Sequence, residues 1–131
     1  MSARYEVHAL GPWTEPVTKN RSSCSAFKAK WQGTLDLLEY ESDQLRAREI
    51  RLDVDVQQGD IRIDGMLRAN AKVGFPGVRV HLIGTRVGDL VYATDQYESR
   101  YSGDSHESWQ ANVRAIALAL VALRAVDRWR E

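Results

Sequence analysis

The chain is poor in the features that most clearly mark a chemistry or a compartment. Cys24 is its one cysteine, so no disulfide can form within the chain and no cysteine-based zinc cluster can be built. This usage favours a reducing, intracellular setting. There is no excess charge either, because 18 Lys and Arg balance 18 Asp and Glu. The sequence therefore predicts no overall attraction to nucleic acid or to an anionic membrane.

Long apolar runs and recognisable cofactor motifs are also missing. The longest apolar run, Ala115 to Leu123, has nine residues, whereas a membrane-spanning helix needs about 20. The first residues contain no apolar segment of the secretory type, so we expect a cytoplasmic protein. Neither a P-loop nor a Rossmann glycine pattern occurs, and we expect no cofactor.

Alternating apolar residues predict four strands. They occur at Tyr5 to Ala9, at Ile50 to Val56, and in two segments, Val78 to Leu82 and Asp89 to Tyr97, that we interpret as a hairpin. Residues 12–25 lack apolar periodicity and predict a surface loop. Residues 57–77 are interrupted repeatedly by glycine and proline and predict an irregular loop.

Helical spacing predicts two long helices. The first carries Phe27, Trp31, Leu35, Leu38 and Leu45 over about five turns, with Ser23 or Ser25 as its cap. The second begins with Asp104 or Ser105 as its cap, has Glu107 in the position of a capping box, and ends near Trp129.

The element order β-α-β-β-β-α, over a length typical of one domain, predicts a single α+β domain spanning 1–131. We expect an antiparallel sheet of three to four strands packed against two long helices. In the predicted core, Trp31 and Leu38 meet Ile116 and Leu120, or the sheet face formed by Leu52 and Val54.

Acidic residues around the second predicted strand suggest a metal site as one hypothesis. They are Asp53, Asp55, Asp60 and Asp64. Carboxylates bind hard cations such as magnesium, and a metal-dependent nuclease using Asp53 and Asp55 is one alternative function. Alternatively, these acidic residues lie on a solvated sheet face, where Arg51 and Arg79 neutralise their charge. No histidine lies at the spacing of a known metal-binding motif. We predict no metal site.

No catalytic constellation stands out elsewhere. The three histidines, His8, His81 and His106, lie on separate elements, and Cys24 has no indicated base. We therefore predict no catalytic residues and a protein that is not an enzyme.

Two surfaces are candidates for binding. Functional groups often lie on loops held by a rigid scaffold, and the loop 57–77 offers four polar side chains: Arg62, Arg68, Asn70 and Lys72. The alternative is that Ile61, Ile63, Met66 and Leu67 pin this loop to the core. The second helix is apolar around its circumference, which predicts a homodimer. The predicted contact residues are Leu118, Val121, Ala125 and Trp129.

Nucleic-acid binding through local arginine clusters is a second alternative. The order of a helix, three strands and a helix matches a double-stranded RNA binding domain. Such domains have lysines where the last helix begins, but here the segment from Ser105 to Trp109 has none. The arginines Arg124, Arg128 and Arg130 cluster near the other end.

Several stretches look familiar together. They are Arg21-Ser22-Ser23, Phe27, Trp31, Thr34 to Leu38, Asp60 to Gly65, Pro76-Gly77-Val78, Asn112 to Leu118 and Ala122 to Arg128. Over residues 20–128 the chain resembles small proteins of actinobacterial phages and mobile elements, some of them labelled J-domain-like. The His-Pro-Asp tripeptide of J-domains is absent, so cochaperone activity is not implied. The resemblance implies a phage or prophage context and a small protein that binds a host or phage macromolecule. The missing catalytic motifs and the excess apolar surface of the second helix favour, within that context, a non-catalytic protein-binding module that acts on host physiology.

Overall fold

A four-stranded sheet with two helices against one face forms the body of the protein, which confirms the predicted α+β class. The computed structural model describes residues 4–23, 27, 30–99 and 107–130, excepting the side chains of residues 4 and 127–130. The main strands are β1 (Arg4–Ala9), β3 (Glu49–Val54), β4 (Val78–Thr85) and β5 (Gly88–Thr94), in the spatial order β1-β3-β4-β5. Two short strands, β2 (Ser22–Ser23) and β6 (Tyr97–Glu98), pair separately.

The sheet is mixed, and the expectation of a wholly antiparallel sheet is wrong. Strand β1 runs parallel to β3, whereas β3 with β4 and β4 with β5 are antiparallel. The helix α1 (Trp31–Gln44) lies between β1 and β3 in the chain. A helical crossover returns the chain to the end from which it started, so the strands that it joins run in the same direction.

The first helix begins later than predicted. It starts at Trp31 after Lys30, whose backbone is extended and whose side chain makes no capping bond. Ser23 belongs to β2, and Ser25 lies outside the described residues. Phe27 instead packs against Tyr97, with ring centroids 4.8 Å apart and the ring planes inclined at 56°. Its apolar contact is therefore made before the helix begins.

The second helix, α2 (Ser108–Arg130), extends close to the predicted end near Trp129. The predicted caps Asp104 and Ser105 lie outside the described residues. By length and composition, Ser108–Val126 could cross a membrane, with a mean hydropathy of 1.2, but 39% of this window is buried. Five side chains of this helix belong to the hydrophobic core: Trp109, Val113, Ile116, Ala117 and Leu120.

The predicted core is confirmed. Leu38 of α1 and Leu120 of α2 are buried in one cluster with alternate residues of β3 and β4. Trp31 is half-buried and packs edge-on against Trp109, with ring centroids 5.0 Å apart. Strands β3 and β4 thus each have one face packed against the helices, as the alternation of apolar residues predicts.

The predicted surface loop 12–25 contains β2 and is attached to the sheet by a buried carboxylate. Asp95 accepts hydrogen bonds from the Thr18 backbone N–H at 2.9 Å and from Arg21 Nη2 at 3.1 Å. Burial by itself would raise the pKa of Asp95, but the bonds from Thr18 and Arg21 outweigh it and hold the pKa below its ordinary value. Arg79 extends the attachment by donating to the Leu10 and Pro12 carbonyls.

We predict that replacing Leu38 with Ala lowers the free energy of unfolding by about 2 to 5 kcal/mol, because the vacated space is fully enclosed. Urea denaturation followed by tryptophan fluorescence measures the loss. Val17→Ala, at a side chain that is 59% exposed, is the control and should change stability by less than about 0.5 kcal/mol. Equal effects of the two substitutions would contradict the assigned core.

Asp95 should make stability depend on pH in the acid range. Because the folded pKa is lowered, its contribution is complete above the ordinary aspartate pKa of about 3.9 and is lost as pH falls through the folded value. We therefore expect the stability difference between wild type and Asp95→Asn to be nearly constant from neutral pH to about pH 5 and to shrink as pH falls below about 4. Urea unfolding of both proteins across this range tests it, and a constant difference would contradict the assignment.

Candidate functional site

The loop 57–77 is ordered by its own backbone hydrogen bonds. It opens with a 3-10 turn, Gln58–Asp60, closed where the Gln57 N–H donates to Asp60 Oδ2 at 3.1 Å. Ile61 and Leu67 then form an antiparallel bridge. Between them the Arg62 N–H donates to the Met66 carbonyl at 2.7 Å, and the Gly65 N–H donates to the Arg62 carbonyl at 2.9 Å. The segment is a miniature hairpin.

This miniature hairpin is fastened to the outer edge of β1. The Val7 N–H donates to the Gly65 carbonyl at 2.7 Å. Gly65 has φ +84°, and a side chain there would meet the Glu6 Cγ at 3.1 Å. The left-handed backbone therefore favours glycine here, and any larger residue would also press on the Glu6 side chain.

Ile63 stands at the tip of the turn and is fully exposed, at 107% of its reference area. The hypothesis that Ile63 pins the loop to the core is therefore wrong, because the turn at 62–65 directs this residue outward. Ile61 and Leu67 do pack against the core. On either side of the tip, Arg62 pairs with Asp64 at 2.9 Å, and both side chains are more than half exposed.

The four predicted partner-binding residues are all exposed. Arg62 belongs to the tip, and Arg68 is oriented by donating from Nε to the Gly59 carbonyl at 2.9 Å. Asn70 lies in the next turn, and Lys72 follows it in irregular backbone. The loop thus presents the exposed apolar side chain of Ile63 among exposed polar side chains.

A cavity of about 400 Å³ lies between this loop and β1. Glu6 and His8 line it from the strand, and Gln58, Arg62 and Ile63 line it from the loop. His8 Nε2 is 3.3 Å from Glu6 Oε1. Nothing in the sequence links Glu6 and His8 to this loop, since they lie far from residues 57–77 in the chain and show only the alternation of a strand.

The polar face of the sheet is centred on Asp53, which is only 3% exposed. Arg51 donates to both carboxylate oxygens, at 2.8 and 3.2 Å, and His81 Nε2 lies 2.8 Å from Oδ2. The hydrogen bond with Asp53 raises the pKa of Arg51. Asp53 is thus the acceptor for two cationic or hydrogen-bonding groups of its own chain.

This arrangement gives no support to the metal-dependent nuclease hypothesis. Both oxygens of Asp53 are engaged by Arg51 and His81, and Asp55 accepts the Phe75 N–H at 2.7 Å. Among the described residues, no group of three or more His, Cys, Asp or Glu side chains could hold a metal ion. Cys24 and His106 lie outside the described part of the chain.

The predicted dimer residues on α2 have different surroundings. Leu118 and Ala125 are exposed, Val121 is half-buried, and the Trp129 side chain is not described. Of the arginine cluster, Arg124 is bound by Glu41 through Nε at 2.8 Å and Nη2 at 3.0 Å. Its charge is therefore compensated within the domain.

We predict that Asp53→Asn destabilises the protein by about 1 to 3 kcal/mol, because it weakens charge-assisted hydrogen bonds at a buried acceptor. The matched control is Asp64→Asn in the exposed pair with Arg62, where about 0 to 1 kcal/mol is expected. Denaturation at neutral pH measures both, and a larger loss for Asp64→Asn would overturn the assigned roles.

The comparisons with protein-family models, with curated proteins and with solved structures find no match to this chain.

Proposed function

We propose that this chain is a non-catalytic protein-binding module that acts in the cytoplasm on a host or phage protein. The observation that carries the proposal is Ile63, a fully exposed branched side chain at the tip of a hydrogen-bonded turn. The phage or mobile-element origin, and the action on host physiology, rest on the resemblance described above.

The energetics of association favour this loop as the contact surface. Removing apolar surface from water contributes roughly 25 cal/mol per Å², so a fully exposed isoleucine gains most where a partner covers it completely. The turn is already fixed by the bonds of Arg62, Gly65 and Val7. Binding therefore orders little backbone, which keeps the entropic cost of association low.

The surroundings of Ile63 have the composition of an interface rim. Arg62 and Arg68 supply guanidinium groups, and the cavity beside β1 can accept a side chain from the partner. An apolar anchor surrounded by polar groups is the usual arrangement at binding hot spots. Because Asp60 and Asp64 lie beside these arginines, the loop has no strong local positive charge, which favours a protein over nucleic acid.

The proposal is tested by placing a photo-crosslinking amino acid at position 63, with the same amino acid at the exposed position 17 as control. We expect position 63, and not position 17, to capture a protein from host lysate, before and after nuclease treatment. Loss of the product on nuclease treatment would favour the nucleic-acid alternative. Equal capture from both positions would contradict the proposal.

With the captured protein purified, calorimetry should show that Ile63→Asp weakens binding at least about tenfold, equivalent to about 1.4 kcal/mol. Val17→Asp introduces the same charge at another exposed aliphatic residue and should leave affinity unchanged. The double variant Arg62→Ala with Arg68→Ala should lower affinity by less than Ile63→Asp. Unchanged binding by all of these variants would contradict the assignment of the loop.

A further inference from the structure

The two edge strands of the sheet, β1 and β5, differ in whether another part of the chain covers them. The outer edge of β1 is occupied by the Gly65 carbonyl, whereas β5 pairs with no strand other than β4 among the described residues. Natural proteins block open edges with proline, lysine, bulges or covering loops. Strand β5 has seven residues and contains no proline and no lysine. The irregularity in the hairpin lies between Leu82 and Thr85, away from the centre of β5.

The side chains of β5 do not obstruct a further strand. Val91, in the middle of the strand, is 53% exposed on the outer face of the sheet. Asp89 is the one charged residue of β5, and its Oδ1 accepts the Gly84 N–H at 2.8 Å, which turns it towards the hairpin end. Leu90 and Tyr92 are half-buried and pack against the core.

Helix α2 lies above this same edge of the sheet. It contacts β4 and β5, whereas α1 lies towards the opposite edge, where the Tyr5 hydroxyl of β1 donates to the Leu35 carbonyl. The ion pair between Arg124 and Glu41 marks the side of α2 that faces α1.

The side of α2 opposite α1 is apolar and built mainly from small residues. Successive residues of a helix are about 100° apart around its axis. On this basis four residues lie within about 40° of the position diametrically opposite Arg124: Ala115, Ala119, Ala122 and Val126. Ala119, Ala122 and Val126 are exposed and Ala115 is half-buried. Small side chains allow two helices to approach closely.

We propose that the chain forms a two-fold symmetric dimer in which β5 pairs antiparallel with β5 of a second copy. In the same dimer the two α2 helices meet along Ala115, Ala119, Ala122 and Val126. A single two-fold axis perpendicular to the sheet completes the open strand edge and covers the apolar helix side together. The open edge of β5 and the apolar side of α2 are thus covered by the same second copy.

The spacing of the elements agrees with this arrangement. In this dimer the two-fold axis lies midway between the two copies of β5. Because neighbouring strands lie about 4.8 Å apart, a helix centred above the gap between β4 and β5 is about 5 Å from that axis. Its symmetry mate then lies about 10 Å away. Packed helices are separated by about 8 to 10 Å, and alanine-rich contacts suit the close end of that range.

The charges also favour a second copy as the occupant. An axis through Val91 places Asp89 opposite Ala93 and Leu90 opposite Tyr92, so no like charges meet along the strands. The formal net charge of the chain is +0 at pH 7, which removes overall repulsion between copies. The inference does not rest on the proposed function, because the loop 57–77 adjoins β1 at the opposite edge.

Sedimentation equilibrium of the full chain tests the dimer. We expect wild type at about 100 µM to have twice the monomer mass of 14.8 kDa. Val91→Lys should give a monomer, because two lysines would face each other at the axis. Val87→Lys, the same change at a 61% exposed residue in the turn before β5, should remain dimeric. Ala122→Glu should also give a monomer, and circular dichroism should show native helicity throughout.

Several outcomes would overturn the proposal. A monomeric wild type would refute the dimer. A dimer that survives either Val91→Lys or Ala122→Glu would refute the combined interface, and its dissociation by Leu118→Glu would then assign the contact to the stripe of Leu118, Val121, Ala125 and Trp129. Dissociation by Val87→Lys as well would attribute the effect to added charge and remove the support for β5 pairing.

Discussion

The placement of α2 depends on one buried amide, the side chain of Asn112. It is completely buried, and a polar group in such a place is costly unless its hydrogen bonds are made. Its Oδ1 accepts the Tyr97 N–H at 2.9 Å, and its Nδ2 donates to the carbonyls of Pro76 at 2.9 Å and Tyr97 at 3.1 Å. Pro76 lies just before β4, and Tyr97 belongs to β6. The helix cannot slide or rotate without losing them, so Asn112 determines which side of α2 faces away from α1.

The polar face of the sheet is organised by the same principle of satisfied burial. Asp53 would be unfavourable alone at 3% exposure, but Arg51 and His81 compensate it within the sheet. Arg79 in turn uses its guanidinium to hold the chain at Leu10 and Pro12. Four side chains on this face therefore all make hydrogen bonds within the domain: Asp53, Arg51, His81 and Arg79.

The sequence allowed the buried residues to be predicted better than the directions of the elements. Alternation in β3 and β4 reports which side chains face the helices, and it does so because both strands have one buried face. It carries no information on whether a neighbouring strand runs parallel, so the expected antiparallel direction of β1 was wrong. Likewise, Phe27 continues the helical spacing of Trp31, but its contact with Tyr97 is a tertiary one that local spacing cannot anticipate.

At the candidate site, the exposure of Arg62, Arg68, Asn70 and Lys72 could be predicted from their polarity. The outward position of Ile63 could not, because it follows from the hydrogen bonds of the turn rather than from hydrophobicity. The cavity with Glu6 and His8 depends on the docking of the loop against β1, which joins distant parts of the chain. No local pattern encodes that contact.

The hydrogen bond between Gly65 and Val7 also makes the loop 57–77 a cover for one edge of the sheet. By occupying the edge of β1, the loop prevents that strand from templating the addition of foreign strands. Side chains at the tip can be replaced without loss of this protection, since the backbone bonds do not involve them. The length of the loop and the glycine at position 65 cannot be changed in this way, because shortening or distorting the turn would expose a strand edge to aggregation.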